Sequence, residues 1–175
     1  MSTVKKKISG KAGNIMALRT IRTIGDDLLY QKSREVKKMT PRIQTLIEDM
    51  LETMYDAQGV GLAAPQVGVL KRIVVIDVTP EGDHPIILIN PEIIEKSGEQ
   101  TGYEGCLSVP GKTGVVTRAN YCKVKALNEN MEEIFVEGEE LLARALQHEV
   151  AHLDGELYVS LVEGELMNNS DLEVE

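Results

Sequence analysis

The sequence predicts an α+β fold, in which antiparallel sheets pack around a helix that carries the pattern His-Glu-x-x-His, with another helix nearer the N-terminus. An amphipathic pattern lies early in the chain, β-rich segments fill the middle, and a second helical pattern follows them. Because the strands lie between the two helices and do not alternate with them, the order favours α+β over a parallel βαβ arrangement.

The first helix is expected over about residues 41–57. Thr40 offers an N-cap and Pro41 suits the first turn, and apolar residues then recur at three- and four-residue spacing. Gly59 and Gly61 end the pattern. The helix is therefore predicted to bury one face.

Five β-rich segments follow, separated by Gly and Pro clusters that are typical of hairpins in an antiparallel sheet. The second helix is expected over about 138–153, before Asp154 and Gly155. The predicted strands are Ile73–Val78, Ile86–Ile89, Val115–Thr117, Tyr121–Leu127 and Ile134–Val136.

The length of 175 residues suits a single folded domain, which we expect over residues 16–165. Residues 1–15 hold four lysines and no acid, and are expected to be a disordered leader, with Met16 as the natural start. A short natural basic tail is the alternative for this segment. Residues 166–175 are expected to form a polar C-terminal tail.

Composition argues against several classes of partner. With 19 basic and 28 acidic side chains, the net charge of −9 disfavours direct nucleic-acid binding. No apolar run reaches the roughly 18 residues that a membrane-spanning helix needs, so no membrane partner is expected. Two cysteines and no hydrophobic signal segment predict a reducing, cytoplasmic location.

The pattern His-Glu-x-x-His lies on the second predicted helix. His148 and His152 are one turn apart on one face, so both imidazoles can bind one divalent ion. Glu149 lies close enough to contact a metal-bound water without being a ligand, and would act as general base and acid. The alternative is a pair of core histidines whose nitrogens bind backbone carbonyls.

A catalytic site of this type usually has a third protein ligand. Metalloproteases with the longer pattern His-Glu-x-x-His-x-x-Gly-x-x-His use a third His, but Tyr158 occupies that position here. Cys106 is the upstream candidate, since a thiolate binds such metals well and Gly105 lets the backbone come close to a ligand. Cys122 alternates within a strand pattern and is interpreted as a small buried apolar residue.

A glycine-rich segment, 59–68, begins like the dinucleotide-binding pattern G-x-G-x-x-A. That interpretation is rejected, because the segment follows a helix and meets Pro65 just ahead of a strand. It is instead predicted to be a loop whose backbone can approach a substrate, with Gln66 as a polar side chain in apolar surroundings. A tight turn with a buried amide is the alternative.

Together, three segments resemble the signature motifs of peptide deformylases. Residues 59–66 match G-x-G-x-A-A-x-Q, 104–108 match E-G-C-L-S, and 147–155 match the frame Q-H-E-x-x-H-L-x-G. The resemblance covers about residues 16–162. One position departs from it: Ala151 stands where the family usually has Asp, which we interpret as the loss of a group that orients a metal ligand.

The resemblance implies removal of the N-formyl group from N-formyl-methionyl nascent peptides near the bacterial ribosome, with release of formate. It also implies one divalent ion per chain, Fe²⁺ in the cell, with Zn²⁺ or Ni²⁺ favoured on purification. The residues that it implicates are Cys106, His148 and His152 as ligands, Glu149 as acid and base, Gln66 and the Leu107 N–H as oxyanion donors, Val60, Gly61 and Gly105 beside the peptide backbone, and Leu141, Arg144 and Ala145 beside the methionine side chain.

Two other functions are compatible with parts of this pattern. A metalloprotease would cleave unblocked peptides, and would use a third ligand other than Cys106. A non-catalytic metal-binding or interaction module could follow from Ala151, although such a module would need neither Glu149 nor Gln66.

Overall fold

A computed structural model describes residues 17–172, and the predicted leader at 1–15 lies outside this range. The described residues form two antiparallel sheets and three α-helices, which confirms the predicted class. None of these helices is long and apolar enough to cross a membrane. The helices are α1 (Pro41–Asp56), α2 (Glu140–Leu153) and α3 (Asn169–Leu172), and the strands are β1 (Gly61–Ala63), β2 (Ile73–Ile76), β3 (Ile86–Ser97), β4 (Gln100–Glu104), β5 (Lys112–Arg118), β6 (Tyr121–Leu127), β7 (Glu133–Glu139) and β8 (Glu163–Asn168).

The strands divide into a five-stranded sheet, in the order β1-β2-β3-β6-β7, and a three-stranded sheet, in the order β4-β5-β8. Every ladder within these sheets is antiparallel. Strands β1 and β4 are therefore edge strands of different sheets, each with one side free of a neighbouring strand.

The five-stranded sheet lies between the two long helices. Ile73 and Val75 of β2 pack with the buried face of α1, whereas Val74 and Ile76 pack with α2. Successive side chains of a strand point to opposite faces, which explains this division. Cys122 is fully buried in the core beside α2, as predicted.

Local sequence signals account for the start of α1. The hydroxyl of Thr40 accepts a hydrogen bond from the backbone N–H of Ile43 at 3.2 Å, and Pro41 occupies the first turn. Helix α2 begins later than predicted, because Gly138 and Glu139 still pair with β6. The start of α2 is thus set by the pairing of the preceding residues with β6, which the hydrophobic periodicity of the helix does not reveal.

Three strands were absent from the prediction: β1, β4 and β8. Strand β1 has only three residues, and β4 and β8 are rich in polar and exposed side chains. The boundary expected between residues 165 and 166 falls inside β8, whose Met167 and Asn168 pair with β5. These strands are defined by their backbone hydrogen bonds. Their side chains show no hydrophobic pattern from which a strand could be predicted.

Gly155 follows the C-cap of α2, Asp154. It packs against the backbone at the end of the first 3₁₀ helix, Asp27–Tyr30. Its φ of +76° is in the left-handed region. A Cβ at this position would overlap the carbonyl oxygen of Tyr30 and lie 2.5 Å from the carbonyl carbon. Glycine is therefore required both by the backbone angle and by the packing.

We expect Gly155→Ala to lower the free energy of unfolding by about 3 kcal/mol or more, since strain and a backbone clash add. Gly164→Ala is the matched control, because Gly164 has the same φ of +76° but nothing within 4 Å of its Cβ position. The control should lose only about 1 kcal/mol. Urea unfolding curves measure both values, and equal losses would contradict the packing argument.

Candidate metal centre

Helix α2 brings His148 and His152 to one face, and both side chains are buried. Cys106 comes from the turn that follows β4. One ligand atom from each of these three residues lies within 4.8 Å of the other two. The structure therefore assembles the three residues that the sequence predicts as ligands.

The orientation of these side chains fits a divalent ion. The sulfur of Cys106 lies 3.3 Å from Nε2 of His152. Nδ1 of His148 is hydrogen-bonded to Oε1 of Glu104 at 2.5 Å, which leaves Nε2 for a metal. One sulfur and two imidazole nitrogens suit borderline-soft divalent ions such as Zn²⁺ or Fe²⁺.

Glu104 is the residue that the sequence interpretation missed as the partner of His148. It is buried, and it also accepts hydrogen bonds from Arg118 at 3.0 and 2.5 Å and from Arg144 at 2.7 Å. Burial opposes its ionisation, but the hydrogen bonds from His148 and Arg118 outweigh burial and lower the pKa of Glu104 well below its usual range. The carboxylate is therefore ionised at neutral pH.

This finding concerns His148 alone, and the interpretation of Ala151 stays a prediction, because Nδ1 of His152 is buried and has no hydrogen-bond partner within residues 17–172. The group that orients His148 comes from β4, two residues before Cys106, and not from position 151 on the same helix. Ala151 is only partly buried, beyond the turn that carries His148. The motif Glu-Gly-Cys could have indicated this role in the sequence, because it places the carboxylate of Glu104 two residues before the predicted ligand Cys106.

Burial acts in opposite directions on the two acid–base groups of α2. It raises the pKa of Glu149 to about 7, and nearby positive charge on His148 opposes the rise. It lowers the pKa of His152 well below the usual range, because an imidazolium there would be desolvated. His152 is thus neutral, the form in which imidazole binds metals.

For His148, burial opposes the charged form, but hydrogen bonds to Cys106 and Glu104 raise its pKa to about 10. A proton and a metal ion compete for the same nitrogen, so metal binding displaces that proton. Tyr158, in the position where metalloproteases of the longer pattern have a third His, stacks on His148 with ring centroids 5.8 Å apart. Its ring packs against a ligand and fixes the imidazole plane.

A cavity of about 430 Å³ opens beside this cluster. Ten of the twelve predicted site residues line it, whereas Gln66 and His152 lie behind its wall. Those ten are Val60, Gly61, Gly105, Cys106, Leu107, Leu141, Arg144, Ala145, His148 and Glu149.

Edge strand β1 forms one side of the cavity, and two glycines let it come close. A Cβ at Gly61 would lie 2.8 Å from Cγ of Glu149, and one at Gly59 would lie 2.7 Å from a methyl carbon of Leu107. Neither position accepts a larger side chain without displacing a site residue. The glycines of the loop thus bring backbone, rather than side chains, to the cavity.

Gln66 is fixed behind Cys106. Its side-chain oxygen accepts a hydrogen bond from the N–H of Ala63 at 2.9 Å, and its nitrogen donates to Oγ of Ser108 at 3.0 Å and to the sulfur of Cys106 at 3.5 Å. The side chain is 1% exposed. The amide is thus the buried polar group that the sequence predicts, with its donor end toward the ligand cluster.

The fold and site define a class of protein, the metal-dependent hydrolases with two histidines and a glutamate on one helix. The family model for polypeptide deformylase matches residues 18–166. A peptide deformylase of Agathobacter rectalis is 67% identical over 151 residues, which cover 86% of this chain and 94% of that protein. The chain therefore belongs to the polypeptide deformylase family, which is a family of enzymes.

Solved structures agree with this assignment. The peptide deformylase of Legionella pneumophila matches with a TM-score of 0.81 and 46% identity, covering 84% of this chain and 87% of that one. A peptide deformylase of Acinetobacter baumannii, bound to Met-Ala-Ser, matches with a TM-score of 0.79 and 33% identity, covering 85% and 100%.

We expect Cys106→Ala to abolish tight metal binding, because two imidazoles alone leave a weak site. Cys122→Ala is the matched control, since Cys122 lies in the core away from the ligands and should keep a full equivalent of metal. Elemental analysis after dialysis measures both. Stoichiometric metal in the Cys106 variant would remove this residue from the ligand set.

Proposed function

We propose that the protein removes the N-formyl group from N-formyl-methionyl nascent peptides by hydrolysis, which yields formate and a free amino terminus. The observation that carries this proposal is the cluster of Cys106, His148 and His152 beside Glu149, in a chain of the deformylase family. The related enzyme of Acinetobacter baumannii binds Met-Ala-Ser, which has the form of a deformylated product.

Cys106, His148 and His152 would hold one divalent ion. Such an ion lowers the pKa of a water molecule and polarises a carbonyl oxygen, which is the chemistry that amide hydrolysis needs. Glu104 keeps His148 in the required orientation, and burial keeps His152 neutral. Contacts from behind thus orient His148 and Cys106, through Glu104 and Gln66 respectively, whereas Nδ1 of His152 is buried without a partner within residues 17–172.

Glu149 acts as general base and then as general acid. It takes a proton from the attacking water, and delivers that proton to the departing amine. Its pKa of about 7, raised by burial, suits a group that must both accept and donate near neutral pH. Its Oε2 is buried and has no hydrogen-bond partner within residues 17–172, so one oxygen is free for this exchange.

The side-chain amide of Gln66 and the backbone N–H of Leu107 stabilise the oxyanion that forms from the formyl oxygen. The hydrogen bonds to Ala63 and Ser108 support this role, because they fix the amide before substrate binds. Leu107 lines the cavity immediately after Cys106. Fixed donors need no rearrangement as the charge develops.

The peptide binds as an added strand along β1. Gly61 begins edge strand β1 of the five-stranded sheet and Val60 immediately precedes it, so their backbone groups can pair with an extended peptide. Gly105 approaches from the opposite wall. Leu141 and Ala145 of α2 contact the first side chain of the substrate.

The proposed substrate sets the cellular location. Formylated nascent chains occur where proteins are synthesised, so we place the enzyme in the cytoplasm, near ribosomes. The net charge of −9 disfavours direct contact with nucleic acid.

Formate release from N-formyl-Met-Ala-Ser tests the activity directly. N-acetyl-Met-Ala-Ser is the matched blocked control, and unblocked Met-Ala-Ser tests for peptide-bond cleavage. We expect formate from the first peptide and no product from the other two. Cleavage of the unblocked peptide would instead indicate a metalloprotease, and metal binding without any product would indicate a non-catalytic module.

Glu149→Gln should keep the metal ion but lose the proton exchange, since Glu149 is not one of the three ligands. We expect kcat for formate release to fall by about 10²- to 10⁴-fold. Metal content, measured by elemental analysis, should stay at one equivalent. Near-normal turnover in this variant would contradict the role of Glu149.

The metal in the cell is proposed to be Fe²⁺, whereas binding strength favours Zn²⁺ or Ni²⁺ during purification. We expect enzyme loaded with Fe²⁺ without oxygen to be faster but air-labile, because redox-active iron promotes oxidation of the Cys106 thiolate. The zinc form should be slower and stable in air. Rates before and after air exposure provide the comparison, and a faster zinc form would argue against iron.

A further inference from the structure

A second cavity, of about 580 Å³, lies at the start of α1 and shares no lining residue with the cavity beside the ligand cluster within residues 17–172. Among its lining residues Val36, Ile43 and Leu46 are buried, so its floor is apolar. Its rim is cationic, because the charged side chains that line it are largely exposed. The cations of this rim are Arg19, Lys37, Lys38, Arg42 and Lys71.

The cationic rim contrasts with the charge of the whole chain, which is −9. Nine of the fifteen Lys and Arg side chains within residues 17–172 lie in 19–42 and 71–72, where there are only three acidic side chains. Positive charge is thus concentrated in the two segments that supply the rim, although the protein is acidic. Because like charges held close together repel one another, such a cluster favours an anionic ligand.

Most of the rim cations have no carboxylate partner. The four other than Arg19 form no ion pair within residues 17–172. Glu35 is the one acidic residue that lines the cavity in this range. The rim therefore has an excess of positive charge that the described part of the chain does not neutralise, and a bound anion would do so.

The backbone and one side chain of the rim are held in place from inside the protein. The side-chain amide of Asn90 accepts a hydrogen bond from the N–H of Val36 and donates one to its carbonyl oxygen, both at 2.8 Å. Val36 directly precedes two of the rim lysines. Oδ2 of the buried Asp49 accepts a hydrogen bond from Nε of Arg19 at 2.9 Å. Binding at this cavity therefore needs little rearrangement of the backbone.

Size and chemistry together favour a phosphate chain as the ligand. Small-molecule pockets have volumes of roughly 300–1,000 Å³, and 580 Å³ lies within this range. Several cations around one cavity suit an anion with several charges, and phosphate oxygens accept hydrogen bonds from both Lys and Arg. An apolar floor below a cationic rim matches a nucleotide, in which a planar base adjoins charged phosphates.

We propose that the cavity at the start of α1 is a binding site for a phosphate chain, such as that of a nucleoside triphosphate. The same phosphate chemistry occurs in the backbone of RNA, so the experiment below compares the two sources. The site is separate from the one that carries the proposed deformylase function, and its test does not depend on formate release.

Isothermal titration calorimetry on the full chain measures the binding of ATP and of inorganic triphosphate, at about 150 mM salt to screen long-range attraction. We expect both to bind, and adenosine, which lacks phosphate, not to bind. Lys37→Gln and Lys71→Gln should each raise Kd by about ten-fold, since each removes one charge-assisted contact. Lys32→Gln is the matched control, because this exposed lysine lies in the same basic segment but does not line the cavity.

Hexauridylate and hexaglutamate complete the comparison, and thermal unfolding shows that each variant is folded. Hexauridylate that binds, and binds less tightly to Lys37→Gln and Lys71→Gln, would support the site with RNA as the source of the phosphates. Failure of ATP, triphosphate and hexauridylate to bind would overturn the proposal, as would an equal loss of affinity in Lys32→Gln. Hexaglutamate bound as tightly as triphosphate would also overturn it, and would indicate an acidic protein partner instead.

Discussion

The buried carboxylate of Glu104 connects the two halves of this fold. It lies at the end of β4, and binds Arg118 of β5 within its own sheet and both Arg144 and His148 of α2, which packs on the other sheet. Removing one partner of such a buried network leaves an uncompensated charge, which typically costs about 3–5 kcal/mol. Gln100 and Val116 also hydrogen-bond to α2, but Glu104 is the group that links the strand before Cys106 directly to a histidine of the helix.

Periodicity and end signals were sufficient for the two long helices and for the buried strands. Strand β6 was predicted with its observed bounds, Tyr121–Leu127, because its apolar residues alternate under α2. Strands β1, β4 and β8 were not predicted, because side-chain patterns indicate burial and these strands are short or largely exposed. Their backbone pairing is decided by distant neighbours.

The same distinction applies to the site. Short motifs identified Cys106, His148 and His152, since ligand chemistry restricts residue type and spacing. The partner of His148 was sought on its own helix, at position 151, because helix geometry makes such neighbours predictable. Glu104 reaches His148 only through the packing of one sheet against a helix of the other, 44 residues away in sequence. Local spacing contains no information about that contact.

The missed strands matter most for function, because the cavity lies between them. Val60, just before edge strand β1, and Gly61, its first residue, line the cavity, and so does Gly105, which follows the end of β4. Natural proteins usually protect such edges from pairing with other chains. Here Gly61 keeps β1 against Glu149, so a peptide that completes this sheet is placed directly beside the acid–base group. In the proposed function, an edge that would otherwise favour aggregation is the surface that binds the peptide, and its short length limits what can pair with it.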